Sequence, residues 1–150
     1  MSAPATTTRT QPWKTSTPPI EGTPCWHQIP AVDVQACKRF YSALFPSWQF
    51  IENPAKYPEE FIALFNYEGS RSMAGGIVKT SEEAKSQEQG EGVGMTVHYY
   101  VKSIEATQKR VVELGGTILT LKIPEADNGY FMLCKDVAGN RFSMYEEKTD

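Results

Sequence analysis

Hydrophobic residues along this chain alternate, then recur at helical spacing, then alternate again, and the whole pattern occurs twice. Trp26–Val32 alternates like a strand. Asp33 follows where a helix N-cap belongs. Val34, Cys37, Phe40, Tyr41 and Leu44 then fall on one face of a predicted helix, Val34–Phe45, which Pro46 ends. Trp48–Glu52 predicts a short strand, Asn53–Glu60 a loop around Pro54 and Pro58, and Phe61–Tyr67 and Met73–Lys79 two strands joined by a turn at Glu68–Gly69–Ser70. The pattern restarts at Val93–Val101. Ser103 is the next cap, and Ile104, Thr107, Val111 and Leu114 share a helical face that Gly115–Gly116 closes. Thr117–Lys122 predicts a strand and Pro124–Asn128 a loop. Tyr130–Lys135 and Arg141–Glu146 predict the last strands, joined by a turn at Val137–Ala138–Gly139–Asn140.

Each half therefore reads strand, helix, strand, strand, strand. Ser103 follows Asp33 by 70 residues, and the same offset joins Ala36 to Ala106, Leu44 to Leu114, Phe61 to Phe131, Gly69 to Gly139 and Arg71 to Arg141. A constant offset predicts two packed copies of one unit, neither able to bury its sheet face alone. The expectation is an α+β fold. A tail covers residues 1–23, and a single domain covers 24–150. Within that domain, module one is 24–79, a linker 80–92, and module two 93–147.

Composition narrows the function classes. At 150 residues, 40% hydrophobic and 22% charged, the chain has the make-up of one globular domain. Its net charge of −3 and lack of a Lys/Arg stripe argue against a nucleic-acid partner. Thr80–Gly92 holds four Glu and one Lys and reads as a solvated loop. No apolar run reaches membrane-spanning length. Residues Met1–Pro24 are rich in Thr, Ser and Pro, lack a signal-peptide core, and read as a disordered tail. Cys25, Cys37 and Cys134 have no paired spacing. They are expected to be free thiols in a reducing, cytoplasmic setting, with Cys37 and Cys134 as small core residues.

Three stretches carry a resemblance. Ile29–Phe45, IPAVDVQACKRFYSALF, resembles the first strand–helix unit of the vicinal oxygen chelate proteins, the glyoxalase, bleomycin-resistance and extradiol dioxygenase relatives. Tyr99–Leu119 resembles the opening of their second module, and Gly129–Glu146, with its Asp-x-x-Gly-Asn turn at Asp136–Asn140, their closing hairpin. The resemblance implies tandem βαβββ modules whose curved sheets cup a small organic ligand, and frequent homodimers.

It also implies where a divalent metal would sit. Counted from the caps and the closing turn, and carried by the offset of 70, the four ligand positions fall on Trp26, Met73, Thr96 and Ser143. Such ions need imidazole or carboxylate donors, so no metal and no cofactor is expected. Residues two apart on a strand share a face. Gln28 therefore accompanies Trp26, His98 and Tyr100 accompany Thr96, and Tyr145 accompanies Ser143 as candidate cavity residues. His98 is the candidate acid/base, and Tyr100 or Tyr145 a donor to a developing oxyanion. Trp26, Gln28, Met73, Thr96, Ser143 and Tyr145 are candidate substrate-binding residues. His27 is expected to point to the helix side. The readings left open are a metal-independent isomerase, cyclase or lyase; a protein that sequesters a small compound; a metal-dependent lyase or dioxygenase; and a structural module with a filled cavity.

Overall fold

A computed structural model of the protein describes residues 20, 21, 24, 26–68, 73–82 and 95–149. Most of the expected N-terminal tail, Cys25, most of the acidic linker, and Gly69 and Arg71 of the repeat lie outside the described residues. The elements run β1 (Trp26–Ala31), α1 (Val34–Leu44), β2 (Trp48–Phe50), β3 (Ile62–Tyr67) and β4 (Ala74–Lys79). They continue as β5 (His98–Tyr100), α2 (Ile104–Glu113), β6 (Thr117–Ile118), β7 (Ile123–Glu125), β8 (Gly129–Lys135) and β9 (Arg141–Glu147). Two mixed sheets result, ordered β1–β4–β3–β2 and β5–β9–β8–β6, with β7 also paired to β8. In each, the first strand runs parallel to the last, and the remaining pairs are antiparallel. Among the described residues no helix is long and apolar enough to cross a membrane.

Both helices start on the expected caps. Asp33 Oδ1 accepts from the Ala36 N–H at 2.9 Å, and Ser103 Oγ from the Ala106 N–H at 3.2 Å. The five predicted apolar positions of α1 are buried. Past α2, Gly115 takes φ 91°, a left-handed conformation that glycine adopts without Cβ strain.

The two modules share one core. Tyr41 of α1 stacks on Trp48 at 4.7 Å, and Trp48 stacks on Phe65 at 4.6 Å. Tyr99 of β5 enters this cluster from the second module, 5.1 Å from Phe45, 5.4 Å from Trp48 and 5.9 Å from His27, ring centre to ring centre. Phe142 of β9 meets Phe40 and Tyr41. Cys37 and Cys134 are fully buried free thiols, and burial pushes Cys134 up to about 12, so it stays protonated at neutral pH.

Three expectations need correction. The predicted strand Thr117–Lys122 stops at Ile118, because Thr120 Oγ1 takes the Leu133 N–H at 3.1 Å and interrupts the ladder. The predicted loop Pro124–Asn128 begins as strand β7, where Pro124 sits at a sheet edge and owes no donor. Most consequential is the offset, which is not constant. Gln28 pairs with Gly76, whereas its repeat mate His98 pairs with Ser143. Ser143 therefore corresponds to Gly76, 67 residues earlier, and not to Met73. Likewise Leu64 opposes Gly76 where Leu133 opposes Ser143, an offset of 69. The first module carries one extra residue before β3 and two more in the β3–β4 connection. Phe61, the expected mate of Phe131, precedes β3.

Candidate functional site

β1 is an edge strand, and its outer edge faces the segment leading into β5. Between them lies a cleft of about 720 Å³, lined by Trp26, His27, Gln28 and Pro30 on one side and by Met95, Thr96, Val97 and Tyr99 on the other. Met73 borders it, and the β8–β9 turn, Ala138–Arg141, also lines it.

The turn holds both walls in place. Asn140 Nδ2 donates to the Pro30 carbonyl at 2.7 Å, and Arg141 Nη2 donates to the Met95 carbonyl at 3.1 Å. Asp136 organises the turn from inside. Its Oδ1 accepts the Ala138 N–H at 2.8 Å and the Asn140 N–H at 2.9 Å; its Oδ2 accepts the Tyr41 hydroxyl at 2.6 Å and Asn140 Nδ2 at 3.0 Å. Burial raises the pKa of Asp136, and these donors pull it back down. One carboxyl group thus joins α1 and β1 to the hairpin of the other module.

His27 sits at the back of the cleft on the helix-side face, as its strand position implied. Its Nδ1 hydrogen-bonds the Tyr67 hydroxyl, and the Tyr99 hydroxyl lies 3.3 Å from Nε2. Burial lowers its pKa to about 4 and raises those of Tyr67 and Tyr99. At neutral pH this is an uncharged imidazole between two phenols.

The structure divides the sequence-derived candidates. Trp26, Gln28, Met73 and Thr96 line the cleft. His98, Tyr100, Ser143 and Tyr145 are absent from its lining and share instead one face of the second sheet. His98 is exposed and meets Phe131 edge-on at 5.9 Å. Tyr100 is 62% exposed. Ser143 is fully buried, its Oγ 3.3 Å from the Met144 carbonyl. Tyr145 packs over Gly129, where a Cβ would stand 2.9 Å from its hydroxyl. Sequence reasoning missed Tyr99, Met95, Asn140 and Arg141. Asn140 lay in a recognised turn motif. Tyr99 alternates away from His98 and so falls on the strand face opposite the candidate cavity residues.

With the register corrected, the positions implied for a divalent ion are Trp26, Gly76, Thr96 and Ser143. They offer an indole, no side chain and two neutral hydroxyls, a donor set that does not fit such an ion. The Trp26 ring covers Gly76, where a Cβ would stand 2.9 Å from Trp26 Cζ2. Among the described residues no three His, Cys, Asp or Glu side chains converge.

Two βαβββ units, the second with β6 and β7 as two pieces of one strand along β8, each with its first strand parallel to its last and both packed on one core, make the glyoxalase-like fold of the vicinal oxygen chelate proteins. Solved structures share it. A glyoxalase/bleomycin resistance protein/dioxygenase family enzyme from Burkholderia phytofirmans aligns with TM-score 0.61 at 15% identity, over 83% of this chain and 98% of its own. A glyoxalase/bleomycin resistance protein from Albidiferax ferrireducens aligns with TM-score 0.57 at 19% identity, over 82% and 97%. The fosfomycin resistance protein FosX from Listeria monocytogenes, solved with Mn(II) and a dihydroxypropylphosphonic acid, aligns with TM-score 0.62 at 14% identity, over 86% and 92%. At these identities the likeness is one of fold. No protein-family model matches the sequence, and no curated relative matches it at a significant level.

Proposed function

We propose that this protein binds a small organic molecule in the cleft between its modules, and that binding rather than proton transfer is what the cleft performs. The carrying observation is the titration chemistry of its wall. His27 is held neutral, with a pKa near 4, and Tyr41 and Tyr99 are held as phenols. A general acid or base works best with a pKa near the operating pH, and none of these groups has been tuned there. The wall does have what retention of a ligand requires: an indole, two thioethers, and the polar tips of Gln28, Thr96 and Asn140. Some fold neighbours are named as resistance proteins and others as enzymes, so the fold accommodates either role.

A second reading draws support from one face of the second sheet. There His98 lies opposite Ser143, and Tyr100 opposite Tyr145. In that reading the protein is a metal-independent isomerase, cyclase or lyase, with His98 as acid/base and Tyr100 beside it. His98→Ala separates the two. With planar aromatic probes followed by calorimetry and amide chemical shifts, sequestration predicts unchanged affinity in His98→Ala and shifts at Trp26, Gln28 and Thr96. Turnover that falls on the order of 10²–10⁴-fold in His98→Ala would replace it with the acid–base reading.

A further inference from the structure

β1 is an edge strand of its sheet, and the edge that looks into the cleft carries main-chain groups as well as side chains. Successive residues of a strand turn their N–H and C=O toward opposite edges. In β1 the odd-numbered residues face β4. The Ala31 carbonyl accepts the Thr80 N–H at 2.9 Å, just past the end of β4, and a Cβ on Gly75 would stand 2.4 Å from the His27 carbonyl oxygen. Gln28 and Pro30 therefore turn theirs to the open edge. The Pro30 carbonyl is found there, accepting from Asn140 Nδ2 at 2.7 Å. Pro30 has no N–H to offer, and an outward-facing edge position tolerates that.

Gln28 is exposed, and its N–H and C=O have no hydrogen-bond partner among the described residues. Unpaired groups on a sheet edge are a template for another amide. In an antiparallel pair, two residues directly opposite exchange both N–H···O bonds. A ligand that presents one N–H and one C=O on the same side, spaced as in a single residue, therefore matches Gln28. The edge is short: Asn140 already occupies the Pro30 carbonyl, so one residue's worth of backbone fits it and a long strand does not. A side chain on such a ligand falls on the face that Gln28 shares with Trp26, with the indole in diagonal reach. On the facing wall, Val97 spends its carbonyl on the Ser143 N–H at 2.9 Å, whereas Thr96 beside it has no hydrogen-bond partner among the described residues.

We propose that the ligand of this cleft is a compact secondary amide, the size of one acylated amino acid, whose N–H and C=O pair with the Gln28 carbonyl and N–H on the open edge of β1. This rests on the reading of the cleft as a small-molecule site. It goes further by naming the ligand's chemical class and the main-chain groups that read it.

Nuclear magnetic resonance on the isotope-labelled full chain tests it. In the free protein the Gln28 N–H should exchange rapidly with solvent, while those of His27 and Ile29, turned to β4, exchange slowly. The probe is N-acetyl-phenylalanine N-methylamide, compared with its ester analogue carrying oxygen in place of the acetamide N–H. The amide should bind tighter than the ester on the order of tenfold and slow exchange at Gln28. Gln28→Pro removes the N–H at an edge where Pro30 is already accommodated, and should weaken the amide probe on the order of tenfold. Should that variant fail to fold, wild-type exchange and the amide–ester comparison still decide the question. A Gln28 N–H already protected in the free protein would overturn the proposal. Equal affinities for amide and ester, with shifts at Trp26 and Thr96, would overturn the amide assignment and leave the cleft standing, as would planar aromatic probes that bind where the amide does not. If none of these probes shifts those residues, the cleft reading itself is overturned, and this one with it.

Discussion

His27 is one of the residues at which the two modules meet through polar atoms, with Tyr67 from the first and Tyr99 from the second on its ring nitrogens. Burial takes its pKa from the ordinary 6.5 to about 4, so the unfolded chain binds that proton more strongly than the folded one. Stability from this residue is therefore fully present above the unfolded pKa. It is lost progressively as pH falls from about 6.5 toward 4, by up to roughly 3 kcal/mol. Urea denaturation at pH 7 and pH 5 should show wild type losing more stability than His27→Phe over that interval; equal losses would refute the buried neutral imidazole. The helix-side placement of His27 was legible from strand alternation. Its position beside the cleft was not, because that depends on where the other module's edge comes to rest.

At the scale of single elements, β4 shows what two adjacent glycines do in a strand. A Cβ at Gly75 would stand 2.4 Å from the His27 carbonyl oxygen and 2.4 Å from Phe65 Cζ. One at Gly76 would meet Trp26 Cζ2 at 2.9 Å on the opposite face. The pair lets one aromatic ring come close against each side of the strand. Gly75→Ala must displace backbone and should cost on the order of 1–3 kcal/mol. Gly76→Ala meets a half-buried side chain at the cleft, so its cost should be smaller while probe affinity falls. Urea midpoints and probe titrations of the two variants check this contrast, and a Gly76→Ala variant with unaltered affinity would contradict it. Read from sequence, these glycines are mere punctuation; their role follows from rings that cross-strand pairing brings over them. Elements with a local signal were legible: both helices, their caps and most strands. β7 was not, because Pro124 marks a loop unless an edge position happens to accept it.

For the whole molecule, the shared aromatic core decides cooperativity. Tyr99 contacts Phe45, Trp48 and His27 of the other module, and Asp136 ties α1 to the second hairpin. Differential scanning calorimetry should show one two-state transition, and Tyr99→Ala should lower the stability of the whole by roughly 3 kcal/mol. Two resolved transitions in wild type would mean the modules fold separately. The sequence by itself determined the two-unit plan, the helix faces and the identity of the capping residues, because each depends on neighbours within a few positions. It also determined that Trp26, Thr96 and Ser143 bring no imidazole or carboxylate to the positions the fold implies for a metal. Only the tertiary structure decided the rest. Three extra residues in the first module, one before β3 and two in the β3–β4 connection, moved the fourth position from Met73 to Gly76. The cleft opened along two strand edges, not over a sheet face, so residues of either parity reach it and alternation could not predict that His27, Tyr99 and Arg141 would line it while His98 would not.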